Sequence, residues 1–215
     1  MPALDKLRLF FEKAGLSRFL SHLDINRAFL RALLAAGVPV RYSEGFNPHP
    51  RIVFGQPLPL GVAGLREPLD VLLSADAEPA GLAERLSGQL PSGLRVVQAA
   101  PPQRELKEIA FAEYETSLPA GSASAFAAFW DQPSVVTVKK SKRGEHEIDL
   151  KQLAARLETS VDGEALLVRY LLPCSSDGSA GPHQLAAAFA DFTGRAVPMS
   201  HIRTGFYTAD FAPFQ

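Results

Sequence analysis

Hydrogen-bonding side chains crowd a proline-rich stretch, RYSEGFNPHPR, at positions 41–51. Pro48 and Pro50 fix their own φ and force the residues before them, Asn47 and His49, out of the helical region. Side chains held in this way lose little entropy when they bind a ligand. The stretch therefore predicts a preorganised binding loop. The alternative is a structural loop in which Asn47 and His49 cap backbone groups.

A second group of polar residues stands at 21–27, where SHLD opens a run with helical periodicity. Ser21 and Asp24 match a capping box, in which Ser21 accepts from the backbone N–H of Asp24 and Asp24 reaches back. The capping role does not account for His22, which we expect to point outward at an anion-attracting helix start, or for Arg27 one turn later. In an alternative hypothesis, His22 or His49 is an acid or base that Asp24 orients.

We expect the helix start and the loop to meet in one ligand-facing site. Its members are Ser21, His22, Asp24, Arg27, Arg41, Tyr42, Ser43, Asn47, His49 and Arg51. The candidates for catalysis within it are His22, Asp24 and His49, and no metal site is expected, because their spacing matches no zinc or iron pattern. The single site requires both groups to lie at the same end of a sheet.

A run of cations, KKSKR, occupies positions 139–143. The pattern around it predicts a β-hairpin, and cations at a hairpin tip create a local positive field. We expect Lys139, Lys140, Lys142 and Arg143 to steer a nucleic acid through phosphate contacts. The alternative is an ordinary solvated hairpin end.

The elements that must position these residues follow from hydrophobic periodicity and turn signals. In a first half, residues 1–100, the pattern predicts helices at 21–37 and 80–90 and strands at 7–13, 38–42, 52–54, 68–73 and 94–98. In a second half, residues 111–215, it predicts helices at 123–130 and 182–192, a helical turn at 151–157, and strands at 111–117, 135–140, 147–150, 164–172 and 201–207. The expected class is α+β, with two ferredoxin-like (split βαβ) halves and mainly antiparallel sheets.

Composition excludes several classes of protein. The chain has 215 residues, 47% of them hydrophobic, and a net charge of −1, so nothing pulls it as a whole toward nucleic acid or an anionic membrane. The single cysteine, Cys174, permits neither an internal disulfide nor an iron–sulfur cluster held in the usual way. Phosphate-loop motifs and membrane-length apolar runs are missing. We expect a cytoplasmic protein without membrane contact.

Two long motifs carry a resemblance. RLFFEKAGLSRFLSHLDINRAFLRAL and RYSEGFNPHPRIVFGQPLPLGV resemble the radical-SAM-linked domain family of unknown function, and KRGEHEIDLKQL at 142–153 fits it more loosely. In that family, the domain is fused behind a cobalamin-type radical SAM protein or paired with one as a separate chain. Some members occur alongside ribonuclease and ribosomal components. The family carries no established reaction.

The resemblance implies an auxiliary substrate-binding module that serves a radical SAM protein, with RNA (tRNA or rRNA) as the expected substrate of modification. This chain would hold no cofactor, whereas the partner would carry an iron–sulfur cluster, S-adenosylmethionine and, as an open alternative, cobalamin. Arg27, Arg41 and Arg51 would meet phosphate or carboxylate, and Tyr42 would stack on a base. The alternatives are an enzyme in its own right and a docking domain for a protein partner.

Overall fold

The computed structural model describes residues 5–75, 77, 79–141, 144–175 and 178–215. The chain divides into two compact units, Met1–Glu108 with Phe214–Gln215, and Ile109–Pro213. Helices and antiparallel strand pairs occur in both units, so the α+β class is confirmed.

The first unit forms an antiparallel sheet whose strands follow the order β4-β1-β3-β2. Its elements are β1 Lys6–Lys13, α1 His22–Ala35, β2 Ile52–Phe54, β3 Ala63–Leu72, α2 Leu82–Ser87 and β4 Leu94–Ala100, with 3-10 turns at Gly15–Phe19 and Leu106–Glu108. Strand β3 begins earlier than predicted because its backbone pairs with β1 as far as Gly64. Helix α2 is shorter than predicted because Gly81, at a φ of 67°, and Gly88 bound it.

The core of the first unit lies between α1 and the sheet. Helix α1 buries one stripe, made of Ile25, Ala28, Phe29, Ala32 and Leu33, which follows the spacing expected of an amphipathic helix. The ring of Phe29 lies 4.7 Å from that of Phe11 on β1, measured between centroids. This packing fixes the middle of α1 against the sheet.

A buried ion pair joins β1 to β3. Arg8 Nε donates to Asp70 Oδ1 at 2.7 Å and Arg8 Nη2 donates to Asp70 Oδ2 at 2.9 Å, which is the two-pronged geometry that holds a carboxylate most firmly. Arg8 Nη1 donates to the backbone oxygen of Arg104 at 2.7 Å, and the guanidinium lies over the ring of Phe214. Both charged side chains are almost fully buried.

The second unit forms an antiparallel sheet with the order β8-β9-β5-β11, and β6 and β7 pair as a separate ribbon. Its elements are β5 Phe111–Pro119, α3 Ala123–Asp131, β6 Val136–Ser141, β7 Gly144–Asp149, α4 Leu150–Leu153, β8 Ala155–Asp162, β9 Ala165–Ser175, β10 Gly178–Ser179, α5 Pro182–Thr193 and β11 Ser200–Tyr207, with a 3-10 turn at Ala120–Ser122.

The helical turn predicted at 151–157 is wrong in its second part, where the chain forms strand β8. The turn is confined to α4, and the chain then pairs with β9 from Ala155 to Asp162. Ala155, Leu157, Thr159 and Val161 alternate with polar residues, which is the period of a strand and not of a helix.

A buried hydrogen-bonded chain crosses three strands of the second unit. Thr116 Oγ1 on β5 lies 2.8 Å from Tyr170 Oη on β9 and 2.9 Å from His201 Nδ1 on β11. Burial, together with a smaller effect of the nearby His183, lowers the pKa of His201 to about 4. Burial also raises the pKa of Tyr170.

The described helices include none with the length and apolar character that a membrane crossing requires.

Candidate functional site

The start of α1 is held by Ser21, and its hydrogen bonds confirm the capping interpretation. Ser21 Oγ accepts from the Asp24 N–H at 3.2 Å and donates to Asp24 Oδ2 at 2.6 Å. Arg27 Nη1 lies 3.9 Å from Asp24 Oδ1 on the exposed side of the helix. The cap therefore involves Ser21 and Asp24 and gives His22 no part.

The Asp24 carboxylate makes helix capping sensitive to acid. The hydrogen bond from Ser21 holds the pKa of Asp24 below its ordinary value of 3.8, and Arg27 lowers it as well. A lowered folded-state pKa means that the stabilisation is complete above pH 3.8 and is lost as the pH falls through the folded value. We expect Asp24→Asn to lower the melting temperature near neutral pH and to have a smaller effect near pH 3. Thermal melts at both pH values measure this, and a pH-independent difference contradicts it.

His22 is exposed, and its ring lines a small cavity of the first unit. Its ring lies 4.9 Å from that of Phe54, edge to face. The cavity between them has a volume of about 20 Å³, enough for roughly one water molecule. Lys13, Gln56 and Glu67 supply its polar lining.

Two of these lining residues are charged groups that sequence reasoning missed. Lys13 and Glu67 are almost fully buried, and Lys13 Nζ donates to the backbone oxygen of Leu20 at 3.0 Å. The Glu67 side chain occupies the space that a Cβ at Gly64 would need, so a larger residue at position 64 requires Glu67 to shift. A charged residue inside an apolar strand pattern, as in LFFEK, is the signal by which Lys13 could have been found.

The end of the second motif lies against the first motif. The Gly61 N–H donates to the backbone oxygen of Arg18 at 2.9 Å. Gly61 takes a φ of 82°, and a Cβ added there would lie 3.7 Å from the Phe19 ring. With Phe54 against His22, residues 54–61 therefore pack on the segment that leads into α1.

The proline-rich stretch interrupts an edge strand. Val40 lies opposite Leu73, in an isolated bridge, and pairing with β3 resumes at Ile52, opposite Val71. The predicted strand at 38–42 is thus reduced to isolated bridges, because residues 42–50 leave the sheet. We name residues 42–50 the edge loop.

The edge loop brings Arg41 and Arg51 together at its base. The Arg41 N–H donates to Leu72 O at 2.7 Å, and the Leu72 N–H donates to Arg51 O at 3.0 Å. The Arg51 N–H also donates to Arg41 O at 2.8 Å, so the two arginines share one position opposite Leu72. Arg41 Nε donates to Leu73 O at 3.0 Å, whereas the Arg51 side chain is exposed.

Ser43 and His49 close the edge loop on itself. Ser43 Oγ lies 2.8 Å from His49 Nδ1 and accepts from the His49 N–H at 3.1 Å, and the Ser43 N–H donates to His49 O at 2.9 Å. These contacts favour the structural alternative for His49. Asn47 is exposed and forms no hydrogen bond within the described part of the chain.

Aromatic side chains stand out from the edge loop. Tyr42 is 44% exposed, and Phe46 at the loop tip is fully exposed. Sequence reasoning included Tyr42 and overlooked Phe46. A phenylalanine between glycine and Asn-Pro in a polar loop has no core to join, and that context was the available signal.

The predicted site residues thus form two groups. Ser21, His22, Asp24 and Arg27 belong to the start of α1, and Arg41, Tyr42, Ser43, Asn47, His49 and Arg51 belong to the edge loop and its base. Among the described residues, no hydrogen bond or ion pair joins the groups. Their use as a single site stays a prediction.

Residues 139–141 of the cationic run lie on β6 of the β6–β7 ribbon. Lys139 is on β6 opposite His146, and Lys140 follows it on the same strand. Lys142 and Arg143 lie outside the described residues. The steering role of the run stays a prediction.

The described ranges hold no group of three or more His, Cys, Asp or Glu side chains placed to share a metal ion.

A family model described as an uncharacterized protein conserved in bacteria (DUF2344) matches residues 6–182. The match covers both motifs and most of the second unit. The search of curated proteins finds no match to the chain.

Proposed function

The chain belongs to the DUF2344 family of uncharacterized proteins conserved in bacteria, and we propose its function from its own residues and from the resemblance of its two motifs. The proposal is an auxiliary module that binds RNA, either tRNA or rRNA, as the substrate of a separate radical SAM enzyme. The observation that carries the RNA-binding part is the pairing of Arg41 and Arg51 at the base of the edge loop.

The paired arginines suit a phosphate. Arg51 is exposed, and among the described residues Arg41 donates one of its five side-chain N–H groups, to Leu73 O. Backbone hydrogen bonds to Leu72 fix the main chain of both residues, so only their side chains have to be ordered when an anion binds. Phosphate contacts of this kind supply affinity without reading sequence.

The aromatic residues of the edge loop suit unpaired bases. Single-stranded RNA is commonly bound by stacking bases on exposed aromatic side chains beside a cationic surface. Tyr42 directly follows Arg41, and Phe46 projects from the loop tip. The edge loop therefore offers stacking surfaces beside the paired arginines.

The partner and its reaction rest on the resemblance of the two motifs to radical-SAM-linked domains. In this proposal, the iron–sulfur cluster and S-adenosylmethionine belong to the partner, and this chain positions the RNA. An enzyme in which His22 and His49 act together is not favoured, since His22 contacts Phe54 while His49 bonds to Ser43.

We also propose that both units are ferredoxin-like. The order β4-β1-β3-β2 with α1 and α2 supports this for the first unit. The order β8-β9-β5-β11 with α3 and α5 supports it for the second, with the β6–β7 ribbon and α4 as an insertion. In both, the helices follow the first and third strands of a split βαβ unit.

A filter-binding salt titration with bulk tRNA and rRNA tests RNA binding. We expect Arg51→Ala to weaken binding about fivefold to tenfold and to reduce the salt slope by about one, as the loss of one phosphate contact does. Phe46→Ala should weaken binding to single-stranded RNA while leaving the salt slope unchanged.

Arg85→Ala, at an exposed position of α2, is the matched control and should leave both quantities unchanged. Absence of binding at low salt, or equal effects of the Arg51 and Arg85 variants, counts against RNA. Recovery of a radical SAM protein without RNA in a pull-down assigns the chain to protein docking instead.

A further inference from the structure

An open groove in the second unit has no part in the proposed RNA site. It lies between α3 and β8 and has a volume of about 510 Å³. Helix α3 lines one wall with Ala123, Ala127 and Trp130, and β8 lines the other with Leu157, Thr159 and Val161. We name this feature the α3–β8 groove.

The lining of the α3–β8 groove is suited to apolar side chains. Phe126 and Leu166 lie at its floor and are buried, while Val161 is more than half exposed at the rim. Small alanines on the helix wall leave width for an incoming chain. Pockets that bind apolar groups typically combine such walls with a small number of polar groups. Here the polar groups of the lining are Asp131, Lys151, Thr159 and Ser160.

The strand wall has a free edge. Among the described residues, β8 pairs with β9 alone, and its backbone forms no other hydrogen bond to a backbone group. Free N–H and C=O groups in a row are a template for another extended chain. A helix and an open strand edge that flank one groove therefore favour an occupant in β conformation.

The charges of the groove lining indicate which class of molecule binds there. Asp131 and Lys151 are the charged residues of the lining, and they carry opposite signs at the same end of the groove. Lys151 Nζ donates to the backbone oxygen of Gln132 at 2.7 Å and lies 5.9 Å from the centroid of the Trp130 ring. A lining without net charge does not complement a phosphate backbone, whereas it does complement an uncharged peptide segment.

We propose that the α3–β8 groove binds an extended segment of a partner protein, with uncharged apolar side chains at alternate positions. The segment adds a strand to β8 through backbone hydrogen bonds and inserts every second side chain between Trp130 and Val161. Strand addition of this kind takes affinity from the main chain and specificity from the groove. This inference does not depend on RNA binding by the edge loop.

A phage-displayed library of random peptides, about ten residues long to match a long strand, tests the proposal on the full chain. We expect enriched peptides with apolar residues at alternate positions. Ala127→Arg places a long cation in the groove and should weaken binding about tenfold or more, which corresponds to about 1.4 kcal/mol.

Ala128→Arg is the matched control, because Ala128 is the exposed neighbour of Ala127 and lies outside the lining. Its binding should equal that of the unmodified chain. Methylation of alternate backbone nitrogens in an enriched peptide gives a second readout that leaves the protein unchanged, and binding should fall for one register of methylation only.

Equal binding by the two arginine variants, or no effect of either methylation register, overturns the proposal. Sedimentation of the chain as a dimer that Ala127→Arg dissociates also overturns it and assigns the groove to a second copy. Enrichment that the control retains and Ala127→Arg loses supports it.

Discussion

Replacing Asp70 by alanine should lower the free energy of unfolding by about 3–5 kcal/mol, because it leaves the buried Arg8 guanidinium without its anion. Arg8 is 1% exposed and Asp70 is 3% exposed, so water cannot replace the lost contact. The remaining bond from Arg8 to Arg104 O offers no countercharge. Urea denaturation followed by circular dichroism measures the change.

Two further variants separate the loss of the pair from the loss of packing. Glu12→Ala removes the carboxylate of an ion pair with Arg95 that lies largely at the surface, and it should cost at most about 1 kcal/mol. The double variant Arg8→Met with Asp70→Leu removes both buried charges and should recover much of the stability lost in Asp70→Ala. Equal destabilisation by Asp70→Ala and Glu12→Ala would show that the buried charge is tolerated.

Acidification should destabilise the second unit through His201. Burial lowers its pKa from 6.5 to about 4. Below pH 6.5 the unfolded chain binds a proton at His201, whereas the folded chain binds it only near pH 4. The free energy of unfolding therefore falls as the pH decreases across this interval. The pKa difference corresponds to a loss of about 3 kcal/mol between the two limits. Urea denaturation at intervals across this pH range measures it.

His201→Gln keeps a hydrogen-bonding side chain beside Thr116 but cannot titrate, so it should remove this part of the acid sensitivity. His146→Gln is the control, because His146 is exposed on β7 and should leave the pH dependence intact. The same acid sensitivity in both variants would locate its origin in another group.

The sequence is most informative where structure is local. Ser21 and Asp24 predict the start of α1 because a capping box needs only residues within one helical turn. Helix α5 is predicted almost to its bounds, since Pro182 begins it and Gly194, at a φ of 69°, ends it. Both signals act through backbone geometry that neighbouring residues determine.

Sequence patterns are less informative where distant segments decide. The two motifs predict that their polar residues meet, and Phe54 and Gly61 make the described contacts with the first motif. Which residues of the second motif make this contact depends on how β2 and β3 pair, and no local signal specifies that pairing. Strand β8 was missed because its exposed, polar face obscures a short alternation. Lys13 and Glu67 line the same small cavity only because β1 and β3 pair side by side, and local sequence does not predict that pairing.

Leu72 accepts its hydrogen bond from Arg41 and donates to Arg51, so the sheet is complete on either side of the edge loop. The edge loop can therefore be removed or replaced as a unit while the strand pairing on either side of it is kept. Direct ligation of Arg41 to Ile52 keeps one residue at the junction and restores an uninterrupted strand. Exchange of residues 42–50 between homologous chains then offers a way to transfer ligand preference while the framework that carries it stays the same.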